Sequence, residues 1–407
     1  MTEFQINGVD TLIISIFVLY LGRFITRRVR FLEKYNIPQA VTGGLIVSLL
    51  ILAIVLAGGP KVVFSLELRD LLLLVFFSTI GLSAKFSRLK AGGRPLLILL
   101  ACAVVFLVLQ NATGVLIALG LGAHPGYGLF SGSVSFAGGH GTAIAWGNEA
   151  EAAGLTDAGL IGIAFATFGL VAGGIVGGPL AERLIKKHRL RPGEMHEDHS
   201  MMGEEAVPGE ALTPVTMDHI MTTILILTIC VSLGEAVNSF FTESGIKLPG
   251  FLTAMMVGIG ITNLADVVDY EVQQRDFDRV GEVCLQLFLS MSLMSMDLNA
   301  LSQSMGAVLL ALFIQVIVIT LFASLIVFRV MGRTYDAAVI SAGFTGLGLG
   351  ATPVAIANMN AVTSKYGPSF LAFLIVPLVG AFFIDLANAM IIKFFINLPI
   401  MQSVPLP

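Results

Sequence analysis

Two uncharged, glycine-rich segments, Ser135-Phe-Ala-Gly-Gly-His-Gly-Thr142 and Phe344-Thr-Gly-Leu-Gly-Leu-Gly-Ala-Thr-Pro353, interrupt a hydrophobic chain at matching places in its two halves. Each follows a long apolar run and precedes another. The chain is 56% hydrophobic and only 12% charged, where a soluble domain carries about a quarter charged residues. Apolar stretches long enough to cross a bilayer recur along it, so the chain reads as a polytopic α-helical membrane protein. In that setting irregular backbone survives only where it is buried in protein or lines a cavity. A pair of such interruptions at corresponding positions points to a transporter's binding site.

Spans are expected near 10–22, 38–58, 70–84, 96–121 and 158–181, and again near 218–241, 248–264, 281–297, 305–328 and 369–392. Between them lie two re-entrant hairpins, 127–147 and 335–359. With the N-terminus outside, 19 of the 23 Lys and Arg fall on inner segments, and only Lys61, Arg69, Lys247 and Lys393 lie outside. That bias orients the chain with both termini periplasmic and the central linker cytoplasmic. The acidic Met1–Asp10 and the basic residues after the first span reverse the charge order of a signal peptide, so the first span is expected to stay. The net charge of −4 has no basic stripe suited to nucleic acid. Cys102, Cys230 and Cys284 sit in apolar runs and read as small buried hydrophobes.

Five crossings per half make the second half start on the opposite side, so residues 1–187 and 218–407 are expected to be inverted repeats of five helices, each with a glycine-rich hairpin. Ile37-Pro38 recurs as Leu248-Pro249, the mid-span amides Gln110 and Asn111 recur as Gln315, and Tyr127-Gly recurs as Tyr335-Asp. The segment 188–217 is a charged, Pro- and Gly-containing linker. Its His188, His196, His199, Glu197 and Asp198 read as solvated residues, since no packed framework would fix metal-ligand geometry.

Glycines at a hairpin tip let two arms approach and free backbone N–H groups at short helix starts, where positive dipole ends hold a carboxylate. The expected substrate contacts are Ser133, Ser135, Gly138, Gly139, His140, Gly141 and Thr142 from the first hairpin. The second offers Thr345, Gly346, Gly348, Gly350, Thr352 and Asn358. In the last span, Asp385 and Asn388 lie three apart on one face below Pro377. A carboxylate within a span is costly unless paired or functional, which makes Asp385 a candidate Na⁺ ligand or ammonium partner. Ser290 and Ser292, matched by Ser78 and Thr79, are further Na⁺ candidates, while Trp146 reads as an interfacial anchor.

The Gly-Gly-His-Gly-Thr motif, Ala166-Thr-Phe-Gly-Leu-Val-Ala-Gly-Gly174, the run Gly346–Met359 and Val376-Pro-Leu-Val-Gly-Ala-Phe-Phe-Ile-Asp-Leu-Ala-Asn388 together resemble the glutamate:sodium symporter family of bacterial inner membranes. The match runs nearly the whole chain in order, apart from the linker. The resemblance implies Na⁺-driven uptake of L-glutamate, with Na⁺ as coupling ion and no cofactor, by a homodimer. Each protomer would have a scaffold and a mobile transport domain carrying both hairpins. Distantly similar sodium:citrate carriers share paired glycine hairpins, so another amino acid or a di- or tricarboxylate stays open as substrate. A passive anion channel is the rival of another class; no Ser/His/Asp or metal-ligand set suggests an enzyme. An elevator-type movement is expected, with spans 3–5 and 8–10 moving against spans 1, 2, 6 and 7.

Overall fold

The computed structural model describes residues 3–34, 37–87, 93–192, 216–244, 248–268, 274–296 and 298–403. His196, Glu197, Asp198 and His199 of the linker lie outside the described residues, as do Arg88, Lys90 and Lys247. The first half runs α1 (Gly8–Thr26), α2 (Arg30–Lys34), α3 (Gln39–Leu56), α4 (Glu67–Ser83), α5 (Gly93–Gly120), α6 (Gly126–Phe130), α7 (Gly139–Ala152) and α8 (Ala158–His188). The second half begins with α9 (Met217–Glu243), α10 (Gly250–Val267), α11 (Gln274–Met294) and α12 (Leu298–Phe322), which continues through a π turn, Ala323–Val327, to Val330. It ends with α13 (Tyr335–Leu349), α14 (Thr352–Tyr366), α15 (Phe370–Leu378), a second π turn (Val379–Phe383), α16 (Ile384–Ile396) and α17 (Pro399–Ser403).

Among the described residues seven helices are long and apolar enough to cross a membrane: α1, α3, α5, α8, α9, α10 and Ser304–Val330 of α12. This is a multi-pass membrane protein. The other three expected spans are α4, which has 17 residues, α11, which opens on a charged turn, and the α15–α16 rod, broken by its π turn after Pro377. Pro377 removes a ladder donor and forces that irregularity. Helix starts follow local chemistry. Asn7 caps α1 by accepting from Asp10 N at 2.9 Å, and Thr334 caps α13 by accepting from Ala337 N at 3.2 Å. α3 and α10 both begin behind an extended proline, Pro38 and Pro249, with ψ of 143° in each.

The all-helical expectation misses one small element. Strands β1 (Glu3–Ile6) and β2 (Lys61–Phe64) pair in parallel, Glu3 opposite Lys61. The α1–α3 pair returns the chain to the side it left, so two short extended leads meet there and satisfy each other's backbone groups.

The helices sort into two packed groups. In one, α4 packs on α10 and α11, α11 on α1 and α3, and α9 on α10. Gly81 of α4 lies against the Met255 carbonyl and Gly258 of α10 against the Ser78 backbone, so a Cβ at either would overlap main chain. Small residues at such crossings let helices in a membrane approach to backbone contact. In the other group, α8 packs on α6, α7, α12, α13 and α14, and α5 packs on α6, α12, α13, α15 and α16. Gly169, Gly173 and Gly177 of α8, one turn apart, face Leu349, Leu349 and Thr345, and Asn358. Phe106, Phe322 and Phe344 cluster with ring centroids 5.1–5.8 Å apart and join α5, α12 and α13.

This packing corrects the expected division: spans 3 and 8, α4 and α11, lie with spans 1, 2, 6 and 7 rather than with the hairpins. The cause is the glycine-mediated contact of α4 with α10, reinforced by Gly44 against Leu293 and Gly281 against Thr79. Trp146 is a second correction. It is buried, not interfacial, and its indole stands edge-on to Phe251 at 5.5 Å, joining α7 of one group to α10 of the other.

Candidate functional site: the cavity between two broken hairpins

The segment expected as the first hairpin consists of α6, a series of turns over 131–138, and α7; that expected as the second consists of α13, a break at Gly350-Ala351, and α14. Gly139 opens α7 with φ of +67°, a left-handed conformation that favours glycine. A Cβ built there would lie 3.9 Å from the Gly350 carbonyl, so the two glycine motifs face each other. Neither α7 nor α14 has a side-chain N-cap; Gly138 and Ala351 occupy those positions. Pro353 stands in the first turn of α14, where its missing N–H costs nothing.

Between these starts is a cavity of about 400 Å³, within the roughly 300–1,000 Å³ of small-molecule sites. Its walls include Gly138 to Thr142, Gly350 to Val354 and Asp385. Gly380 of the π turn packs on Thr352 and Leu347 and brings the start of α16 to the second tip. The opposite wall, Pro38, Phe76, Ile80, Leu285 and Leu289, comes from the other helix group and is apolar. The cavity therefore straddles the boundary between the groups. Two cavities elsewhere are larger, but neither is reached by both glycine motifs.

Two uncapped helix starts facing one cavity are an electropositive cradle for an anion, built from backbone and free of any obligatory cation. Among the described residues Asp385 supplies the one carboxylate of its wall. His140 adds a fixed imidazole. Thr167 Oγ1 already donates to Ile163 O at 2.9 Å, so it accepts from His140 Nε2 at 2.9 Å. That assigns the proton of the neutral ring to Nε2 and leaves Nδ1 as acceptor.

The remaining candidates do different work. Buried amides on neighbouring helices satisfy the backbone of the broken segments, as burial in a membrane demands. Asn111 Oδ1 accepts from Ser133 N at 2.8 Å, and Asn388 Nδ2 donates to Ser133 O at 3.0 Å. Gln110 Nε2 donates to Gly348 O at 2.7 Å, while Gln315 Nε2 donates to Ser131 O at 2.8 Å and Gln110 O at 2.9 Å. Thus α5 reaches the second hairpin and α12 the first. Asn358 Nδ2 donates to Gly173 O at 2.9 Å, and Thr345 Oγ1 to Ala342 O at 2.7 Å within its own helix. Gly346 lets the arms meet, with Ala355 Cα 2.5 Å from where a Cβ would stand.

Ser133, Ser135, Thr345, Gly346, Gly348 and Asn358 are thus framework around the cavity rather than its walls. Ser133 Oγ, Ser135 Oγ and Asn388 Oδ1 are buried without a hydrogen-bond partner. Ser290 is not brought to the cavity: its Oγ donates to Ser15 O of α1 at 2.9 Å. Ser292 is buried on the same helix, also outside the cavity wall. The sequence reading missed Thr167, for which helical spacing gives no signal, and the apolar wall. It noted Gln110, Asn111 and Gln315 only as an echo, without their partners.

Of the linker histidines only His188 is described; its Nδ1 lies 3.1 Å from Leu184 O and its ring 5.0 Å from Phe328. The three cysteines are free and buried.

A family model described as sodium/glutamate symporter matches residues 4–368. Similar curated proteins are the sodium/glutamate symporter of Escherichia coli (strain K12), 42% identical over 98% of this chain and 99% of the relative, and that of Haemophilus influenzae, 41% identical over 96% and 97%. A counterpart from Shigella flexneri is likewise 42% identical over 401 residues. With its paired glycine tips, its single cavity carboxylate and a match along nearly its entire length, the chain belongs to the sodium/glutamate symporter family.

Proposed function

We propose that the protein imports L-glutamate across a bacterial inner membrane, driven by Na⁺, through a site formed where the two hairpin tips meet. The observation that carries this is the single cavity into which both uncapped helix starts and Asp385 open. The starts of α7 and α14 hold the carboxylates. Thr142, Thr352 and His140 Nδ1 add side-chain contacts. Asp385 meets the ammonium group or Na⁺. The unpartnered Ser133, Ser135 and Asn388 oxygens, beside the first tip, suit a hard cation that prefers oxygen ligands. Bound Na⁺ lowers the cost of bringing an anion into a desolvated site, which couples the two.

The halves read as inverted repeats, both termini periplasmic, each with five spans and a re-entrant hairpin. The reciprocal reach of Gln110 and Gln315 to the opposite hairpins supports this. In an elevator-type step α5–α8 and α12–α16 move as one body against α1, α3, α4 and α9–α11, the scaffold of a homodimer. The position of the cavity on the boundary between those groups supports that division.

The test is radiolabelled L-glutamate uptake into proteoliposomes with and without an inward Na⁺ gradient, competed by aspartate, glutamine and citrate. Accumulation above equilibrium only with Na⁺, resisted by citrate, is expected, and Asp385→Asn should reduce it at least tenfold. Downhill flux without Na⁺ coupling or saturation would indicate a channel. Stronger competition by citrate than by glutamate would move the substrate to the carboxylic acids.

A further inference from the structure

At the basic end of α8 a second cavity, about 350 Å³, opens between that helix and the π-turn end of α12. Arg183 and Lys187 line it from α8, and Arg329 and Arg333 from α12 and the turn beyond it. Among the described residues no carboxylate is in its wall. Among the described residues none of the four cations forms an ion pair; the nearest acid on α8, Glu182, is held by Lys186 at 2.7 Å and Lys365 at 2.9 Å. Four like charges around one concavity repel one another, so an anion there would be stabilised.

The rest of the wall names the kind of anion. Leu321 and Leu325 belong to the same cavity and are 52% and 47% exposed, and Ile326 and Val330 continue that outward apolar surface along the helix. A soluble phosphate would use the cations and leave this apolar wall idle. An amphiphile uses both, with its headgroup on the guanidinium and ammonium groups and its acyl chains along α12. Basic pockets between transmembrane helices bind anionic lipid headgroups by this chemistry. The π turn at Ala323–Val327 widens the helix where the headgroup would sit.

We propose that this cavity, which shares no lining residue with the one between the glycine tips, binds an anionic phospholipid that bridges α8 and α12. The inference does not depend on which solute is carried.

The test uses the full-length protein in neutral detergent, with lipid adducts counted by native mass spectrometry during titration with phosphatidylglycerol or with phosphatidylcholine of the same chains. Lys187→Gln/Arg329→Gln removes one cation from each wall; both side chains are exposed, so the fold is kept. Arg23→Gln/Arg27→Gln, in the last turn and at the C-cap of α1, is the charge-matched control. Each cation near an anionic headgroup contributes about fivefold in affinity, so the pocket variant should bind phosphatidylglycerol about 25-fold more weakly. Phosphatidylcholine binding should not change, and the control should match wild type. Equal losses in pocket and control variants would show diffuse charge attraction and overturn the site. Inorganic phosphate at millimolar concentration displacing the lipid completely would reassign it to a free anion.

Discussion

Gly346→Ala is the sharpest probe of the hairpin architecture. A Cβ there would stand 2.5 Å from Ala355 Cα and N and 2.8 Å from Val354 C, all main-chain atoms that no rotamer change can move. Ordinary contact begins near 3.4 Å, so the arms of the second hairpin must part by about 1 Å. Overpacking costs roughly 1–3 kcal/mol, and a backbone-on-backbone clash belongs at the top of that range. Replacing a mid-helix glycine by alanine returns up to about 1 kcal/mol of helix propensity, which leaves a net loss of about 2 kcal/mol. At about 2 °C per kcal/mol for a long chain, the midpoint of thermal unfolding should fall by about 4 °C. The displaced α14 start also holds substrate less well. Loss of a partly buried charge–dipole interaction of up to about 2 kcal/mol at the proposed site weakens half-saturation for L-glutamate by up to roughly thirtyfold. Both are measured on one preparation, by scanning fluorimetry and by proteoliposome uptake. Gly178→Ala, on the open face of α8 with no atom within 4 Å of its Cβ position, is the control and should behave as wild type. A Gly346→Ala protein with wild-type unfolding and uptake would refute the close crossing of the arms.

Gln315→Leu keeps the volume but removes the donor to Ser131 O, a buried carbonyl of the first hairpin; about 1–3 kcal/mol of stability should be lost, read as a drop of about 2–6 °C in thermal unfolding, and an unchanged midpoint would sink the role of the amide. A chemical cross-link tying α4 to α10, which pack in one group, should leave uptake intact, whereas one tying α3 to α12 across the boundary should abolish it; full uptake by the second protein would remove the division into moving bodies.

What the sequence revealed follows from what is local. Glycine clusters without charge, prolines ahead of α3 and α10, and the carboxylate below Pro377 are local features, and the structure places both glycine motifs, Pro38 and Asp385 in the cavity wall, while Pro249 starts α10. What stayed hidden depends on pairs far apart in the chain. Gln110 and Gly348 are 238 residues apart, and Asn388 and Ser133 are 255 apart. Hydropathy registers such amides only as polar intrusions. Ser290 illustrates the converse: a hydroxyl placed by pattern as an ion ligand is spent on a carbonyl of α1. The grouping of α4 and α11 was equally invisible, because Gly81, Gly258 and Gly281 look in sequence like any small residues of a membrane helix.

The distribution of polar contacts bears directly on how such a molecule can move. The staples of Gln110, Asn111, Gln315, Asn358 and Asn388 tie α5, α8, α12, α14 and α16 to the two broken segments. Separating any of these would expose a buried carbonyl or amide in a medium that cannot solvate it, at several kcal/mol each. In the other group Ser290 to Ser15 O and Ser48 to Leu293 O pin α11 to α1 and α3 in the same way. All of these bonds close inside one group. Across the boundary the contacts include Trp146 edge-on to Phe251, the side chains of Phe76, Leu285 and Leu289 facing the glycine tips, and the packing of α3 on α12 and α7 on α11. Apolar contacts have no directional optimum to lose, so one body can slide on the other while keeping most of its burial. A boundary that is mostly apolar, flanked by two interiors that are hydrogen-bonded, is where the proposed elevator step would concentrate motion, and the cavity lies on it. The same fact fits tips made of glycine and backbone: in the proposed elevator step the substrate's charges would be met by groups already locked within one body, and would travel with it.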